Sequence, residues 1–375
     1  MKYILCITQQ CNLTCKYCYI GKRKNRMSLS IAKKIVDFMF TNTPFNERID
    51  IGFFGGEPLL EFDLIKTITK MVEDHPQFND DRVEFAIVTN GTIFSDTIAD
   101  FVNEHNMVFG ISCDGPPLVQ DTFRYFPSGK ASSNVVEKTI ERAQEAIPTV
   151  LVNSVFHPRT FRYLPQVVEY FSLFGLKQIH LNPDYSAQWS KKDINSLPDI
   201  YDQIAQQYIA YYIQGNPHFI NLIDNKIATI LRGGYVSIER CRMGKGEFAF
   251  SPEGNIYPCE RLVGDGTENR HCIGNINNGL NIERMSCNMV PDQTINAECL
   301  SCSLNQYCMN WCGCSNYMST GYYNRVDQFL CISEKAAIQA ALHAFQTLEK
   351  ELGPTFVDHL SGYPSSNSAI NADTR

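Results

Sequence analysis

Cys11, Cys15 and Cys18 stand three and then two residues apart in Cys11-Asn-Leu-Thr-Cys15-Lys-Tyr-Cys18-Tyr, a spacing that lets one loop turn three thiolates inward. An iron–sulfur cubane has four irons, and each wants a terminal ligand. Three cysteines therefore leave one iron free for something else. A zinc knuckle is the competing chemistry; it needs a fourth ligand, and no Cys or His follows closely, although Cys6 could serve. Of the 15 cysteines, ten lie between Cys241 and Cys331, and Cys113 stands apart. Clustered thiols in a reducing compartment act as metal or redox ligands rather than as disulfides, so two metal-rich regions are expected to flank a Cys-poor one.

The remaining candidates for chemistry fall at the ends of short apolar runs. In Phe53-Phe54-Gly55-Gly56-Glu57-Pro58, two glycines let the backbone approach a ligand without a Cβ in the way, and Glu57 adds an acceptor for an ammonium group. Val88-Thr89-Asn90-Gly91 and Ser112-Cys113-Asp114-Gly115-Pro116 are polar in the same position, as binding segments or as ordinary turns. Arg124 carries a guanidinium fork that matches a carboxylate bidentately. Glu260, directly after Cys259, is a candidate general base. The eight histidines are scattered and show no paired spacing; His157 and His180 read as structural. Cys6 and Cys113 read as small buried thiols.

What must position these residues is an alternation of strands and helices. Runs rich in Val, Ile and Phe predict strands over 3–7, 49–54, 83–88, 108–112, 150–156 and 178–181. Helical patterns lie between them near 30–41, 60–74, 95–105, 133–146 and 161–173, with Ser30, Ser95 and Ser133 as N-caps. Six strand–helix repeats imply parallel strands with right-handed crossovers, an open sheet or part of a barrel, with its chemistry at the strand C-termini. Two further helices are expected over 201–214 and 221–231, then a boundary at Gly233 and Gly234. Residues 233–332, rich in Gly, Asn and Cys, read as a small domain with metal sites in place of a core. A last helix is expected over 333–352, and a frayed tail from 362 to 375.

At 375 residues the chain is long enough for two or three such units. Its 33 Lys plus Arg against 40 Asp plus Glu give a net charge of -7, without the basic excess that a nucleic-acid partner calls for. No apolar run reaches the ~18 residues of a membrane span, and 3–7 is too short for a secretory signal, so no membrane partner and a cytoplasmic location are expected.

The three-Cys loop with Tyr17 before the third Cys, followed by the Gly55-Gly56-Glu57-Pro58 segment, resembles the radical S-adenosylmethionine (radical SAM) enzymes. In that family the free iron chelates the amino and carboxylate groups of S-adenosylmethionine, and an electron from the 4Fe-4S cluster cleaves it to a 5'-deoxyadenosyl radical that abstracts hydrogen from substrate. The resemblance implies a partial (β/α)6 TIM-like barrel over 1–232. Tyr17 would lie near the adenine, and Gly55, Gly56 and Glu57 would hold the methionine amino group. Asn90 and Ser112 would face the ribose and carboxylate, with Arg124 as the carboxylate's candidate partner.

Cys241, then Gly254 and Cys259, then Cys299-x2-Cys302-x5-Cys308-x3-Cys312 and a later Cys331 resemble the SPASM domain, the auxiliary-cluster extension of many radical SAM enzymes. A pair of zinc sites is the alternative. By resemblance, Cys299, Cys302, Cys308 and Cys331 hold the distal 4Fe-4S cluster, and Cys241, Cys259 and Cys312 the proximal one. The proximal set is short by one, because residues 242–258 contain no Cys. Cys272, Cys287 or Cys314 could supply the missing ligand; an iron left open to a substrate thiol is slightly favoured. Anaerobic sulfatase maturases, related in architecture, carry an Asp where this chain has Glu260.

Together these motifs look most like the maturases of ribosomally made peptides (RiPPs), which implies a thioether or carbon–carbon cross-link in a precursor peptide. Formylglycine formation in a sulfatase, a haem-precursor or other small-molecule reaction, and a noncatalytic iron–sulfur electron carrier are the alternatives. The implied partners are a precursor peptide and an electron donor such as flavodoxin or ferredoxin. With the first strand starting at residue 3, leader recognition is expected to fall to a separate protein or to the C-terminal surfaces.

Overall fold

The computed structural model describes residues 1–235, 243–264, 269–289, 296–353 and 356. The apolar runs are strands: β1 (Lys2–Thr8), β2 (Ile49–Gly55), β3 (Val83–Thr89), β4 (Val108–Ser112), β5 (Val150–Phe156) and β6 (Gln178–Pro183), with a short β7 (Phe219–Ile220) beyond them. All seven pair in parallel in chain order. Strands of this kind are covered on both faces, which is why they read as nearly continuous hydrophobic runs.

The connections are α1 (Leu29–Asn42), α2 (Phe62–Glu73), α3 (Asp96–Glu104), α4 (Pro117–Phe123), α5 (Ser133–Ala146), α6 (Leu164–Leu173), α7 (Lys191–Ile213) and α8 (Asn221–Leu231). Ser95 caps α3 through Ile98 N–H as expected, but α1 is capped by Ser28 rather than Ser30. Ser133 is the first residue of α5 and not its cap; the carboxylate of Asp121 on α4 accepts from the Ser132 and Ser133 N–H groups instead. Helix α7 begins ten residues before the expected 201. It contains Pro198, which lacks an N–H and disfavours a helix interior. The helix runs through it, capped by Ser190, with Ile194 and Leu197 buried.

Beyond α8 the chain returns to the same sheet. Strand β8 (Glu247–Phe250) pairs in parallel with β1, Lys2 opposite Glu247 and Leu5 opposite Phe250. The antiparallel β9 (Asn255–Tyr257), β10 (Gly274–Asn275) and β11 (Gly279–Leu280) extend that edge into a sheet of 11 strands among the described residues. The fold is therefore α/β with a parallel-dominated, partly barrelled sheet, and the boundary expected at 232 does not interrupt it. Short helices α9 (Ile282–Met289), α10 (Ala297–Leu300) and α11 (Gly313–Thr320) lie within the cysteine-rich region. The final helix α12 (Gln328–Leu352) starts earlier than expected, capped by Asp327, and packs along α7 and α8. The tail from 362 to 375 lies outside the described residues. No helix among the described residues is long and apolar enough to cross a membrane.

The alternation along β1 divides the interior. Tyr3, Leu5 and Ile7 face the core under the helices, while Ile4 and Cys6 face inward with Ala249, Tyr257 and Cys272.

Candidate active site

The loop after β1 is anchored from several directions. Thr8 Oγ1 donates to the Asn25 carbonyl at 2.7 Å, Gly56 N–H donates to Thr8 O, and Glu57 N–H donates to Gln10 O. Farther along, Thr14 and Lys16 N–H groups donate to the carbonyls of Tyr125, just past α4, and of Phe123, its last residue. Leu13 is fully buried, and Lys22 Nζ donates to its carbonyl. The result turns Cys11, Cys15 and Cys18 to one cleft of about 1420 Å³, its open solvent included. The cleft lies over the C-terminal ends of the strands. Burial pushes Cys11 up and Cys15 to about 11, with the Arg124 guanidinium pulling Cys15 back. A cation among them is what would hold them as thiolates.

Of the residues expected at the cofactor, Tyr17, Gly55, Gly56, Asn90, Ser112 and Arg124 line this cleft, and so does Glu260. Glu57 does not. It is fully buried, and its carboxylate accepts from Leu59 N–H at 3.0 Å, Thr89 Oγ1 at 2.8 Å and Asn90 N–H at 2.7 Å. In this way the Glu57 side chain ties the β2 turn to the end of β3. The glycines meet a packing need. A Cβ on Gly55 (φ 140°) would stand 2.1 Å from Thr8 O, and one on Gly56 would stand 2.1 Å from Gln10 O. They admit the backbone entering the cysteine loop.

Asn90, directly after β3, donates from Nδ2 to Asn12 Oδ1 at 2.8 Å and lies 3.6 Å from Cys11 Sγ. Across the cleft, Arg124 Nη1 donates to the Tyr17 hydroxyl at 2.9 Å, which donates to Asp114 Oδ2 at 2.6 Å. Asp114 Oδ1 accepts from Val155 N–H at the end of β5. Burial pushes the Asp114 carboxyl up and Arg124 opposes the shift. Tyr17 packs on Phe123 with ring centroids 5.8 Å apart, so its hydroxyl is fixed between an acid and a base. Arg124 Nε is buried without a hydrogen-bond partner. Leaving such a donor unmet costs roughly 1–3 kcal/mol, and a ligand carboxylate would meet it. The donor set therefore fits S-adenosylmethionine on a cluster held by the three thiols.

Glu260 follows β9, its Oε2 3.8 Å from the buried Lys2 ammonium, which is equally far from Glu247 Oε2. Arg261 lies over the Tyr185 ring at 4.9 Å and reaches back to Cys314 Sγ at 3.9 Å. Asp114 and the strand-end residues Asn153, Asn182, Asp184 and Tyr185 carried no individual expectation; their position at strand C-termini was the available signal. His157 and His180 are not in the cleft: they pack on Phe123 and Phe219.

Cys299, Cys302, Cys308 and Cys331, the four that the resemblance gives to the distal cluster, line a second cavity of about 460 Å³, its open solvent included. Lys226 on α8 braces it, donating to Glu334 Oε2 at 2.7 Å, which also accepts from Met309 N–H. Of the proximal set, Cys241 lies outside the described residues, as does the side chain of Cys287. Cys259 and Cys312 are buried together, and Cys314 joins them, its Sγ 3.6 Å from Cys312 Sγ. Cys259 stands at about 11: its bond with Cys314 lowers it and burial raises it further. Cys272 faces elsewhere, donating to Gly274 O at 3.0 Å beside Cys6 and Tyr257. A cubane's ligands stand around a cavity, one per iron; among the described residues no three or more Cys, His, Asp or Glu converge on a single ion.

Residues 5–171 match the family model described as the Radical SAM superfamily. An uncharacterized protein of Methanocaldococcus jannaschii is 28% identical over 73% of this chain and 88% of its own. The radical SAM cyclopropyl synthase TigE of Paramaledivibacter caminithermalis is 25% identical over 82% of this chain and 66% of its own length. A cysteine-type anaerobic sulfatase-maturating enzyme of Clostridium perfringens is 23% identical over 80% of this chain and 85% of its own. Among solved structures, native anSMEcpe with bound AdoMet and the Cp18Cys peptide superposes with a TM-score of 0.78 at 19% identity, covering 94% of this chain and 99% of that one. Streptococcus suis SuiB bound to its precursor peptide SuiA gives 0.60 at 15% identity, over 88% and 75%. At those identities the structures show the fold; residues 5–171 are a radical SAM domain, and the chain is an enzyme similar over most of its length to sulfatase-maturating enzymes and to a radical SAM cyclopropyl synthase.

Proposed function

We propose that this enzyme matures a precursor peptide, abstracting hydrogen from one residue and closing a thioether or carbon–carbon cross-link. The observation that carries the reading is that one cleft is lined by Cys11, Cys15, Cys18 and Arg124 and also by Glu260 and Arg261, the latter in contact with the buried thiols of the auxiliary region. When bound, the cluster and S-adenosylmethionine supply a 5'-deoxyadenosyl radical that takes the hydrogen atom. Arg124, with Tyr17 and Asp114 behind it, orients the cofactor carboxylate. Tyr19 and Phe54, stacked with centroids 6.2 Å apart, add an apolar wall that keeps water from the radical. Forming a carbon–sulfur bond from a peptide radical and a cysteine thiol releases one proton and one electron. Glu260 Oε2 is placed to take the proton, and the thiols beyond Arg261 lie where an electron acceptor is needed.

The relatives named as sulfatase-maturating enzymes, and the structural neighbours solved with a bound peptide, support a polypeptide substrate over a small molecule. Anaerobically reconstituted, reduced protein given S-adenosylmethionine and the small peptide encoded beside its gene should release 5'-deoxyadenosine and return a peptide lighter by a pair of hydrogens. Conversion of a sulfatase-derived Cys peptide to formylglycine instead would establish the maturase alternative. No 5'-deoxyadenosine from protein with full iron and sulfide would end both readings.

A further inference from the structure

We infer that Cys314 is a ligand of the proximal auxiliary cluster, with Cys259 and Cys312, so that no iron there is left open to substrate. The inference rests on the reading of the cysteine-rich region as cluster-bearing. The resemblance implied three proximal thiolates, and Cys314 brings the set to four. Its Sγ lies 3.6 Å from Cys312 Sγ, and it shares a hydrogen bond with Cys259. All three residues are at most 5% exposed and belong to one buried group.

Three features of the surroundings suit anionic sulfur. Arg261 Nη1 points at Cys314 Sγ from 3.9 Å and at Ser315 Oγ from 3.4 Å. A guanidinium has little to gain from neutral thiols and much from thiolates on iron. Ser315 Oγ lies 3.2 Å from Cys312 Sγ, within reach to donate to it. Cys312 is the N-cap of α11 and Cys314 lies in its first turn, where unpaired N–H groups favour negative charge. Cys272, the other described candidate, gives its S–H to Gly274 O and stands in a different cluster of side chains. Saturation by protein thiolates confines the proximal cluster to accepting and passing electrons. A substrate thiol would then be held by the cleft, not by iron.

The test uses the full chain with Cys11, Cys15 and Cys18 changed to Ala, which removes the one cluster whose iron is open by design. Reconstituted in this background, the auxiliary clusters should resist mild ferricyanide oxidation. Adding Cys314→Ala should make one cluster lose an iron, seen as a new three-iron EPR signal and a fall in bound iron, whereas Cys272→Ala should change neither. Should the Ala variant not hold clusters at all, Cys314→Ser keeps the volume, and its oxygen ligand should shift one iron site in the Mössbauer spectrum. Spectra unchanged in both Cys314 variants, or a three-iron signal already present in the background, would overturn the assignment. A background protein without inorganic sulfide removes the auxiliary-cluster reading itself, a failure told apart by the sulfide assay alone.

Discussion

Arg124 lines the cleft, is held at Nη1 by Tyr17 and has a buried Nε without a partner. A charge-assisted hydrogen bond is worth roughly 1.5–3 kcal/mol, about 10- to 100-fold in affinity. Arg124→Met should therefore weaken S-adenosylmethionine binding to the reconstituted protein by that factor in calorimetric titration, and undiminished affinity would remove Arg124 from the site. Tyr17→Phe, which keeps the guanidinium, should cost less. Residue types at the site were legible because they sit beside apolar runs, but side-chain direction was not. Glu57 shows why: whether a carboxylate faces ligand or backbone depends on Thr89 and Asn90, which only the pairing of β2 with β3 brings near. Cys314 was obscured for a related reason. Two positions apart in a regular helix, side chains point to opposite sides; Cys312 shares a side with Cys314 because it is the extended N-cap, outside α11.

At the scale of elements, the six strands were legible from their apolar runs, while two helices were less so: α4 begins directly after the Ser112–Pro116 segment with no helix expected there, and α7 starts ten residues before the expected 201. The meeting of α7, β7 and α8 holds a titrating group. Asp224 Oδ1 accepts from Tyr208 OH at 2.8 Å and Oδ2 from Ile220 N–H at 2.7 Å, and burial pushes the carboxyl up from 3.8 to about 7. Between those values the folded chain keeps a proton that the unfolded chain releases. Stability therefore falls as pH rises from about 4 to about 7, and is level above. Asn mimics the protonated acid, its oxygen accepting from Ile220 and its amide donating to Tyr208. Asp224→Asn should thus gain on the wild type by a few kcal/mol more at pH 8 than at pH 5, read from thermal midpoints. A constant gap across the two pH values would count against the buried proton.

At the scale of the molecule, the cysteine-rich region is part of the barrel sheet, because β8 hydrogen-bonds along β1 and α12 packs along α7 and α8. Gly233, Gly234 and the Cys-rich composition announced a second unit but could not reveal this. The Glu247–Phe250 run is four residues long and its partner lies far away in sequence. A chain ending at residue 232 would lose the neighbour on one flank of β1 and uncover the apolar side of α7, an invitation to aggregation. Such a truncation should be recovered as insoluble or dye-binding material; a soluble monomer melting like the full chain would contradict the account. The same pairing sets a timetable for biosynthesis. Translation at about 5–20 residues per second places Phe250 on the ribosome roughly ten to fifty seconds after Leu5, its partner. Throughout that interval the strand leading into the metal-binding loop waits with one side open, so nascent chains crowded on a polysome are the point at which oxygen, zinc or a neighbouring copy can capture this protein before iron does.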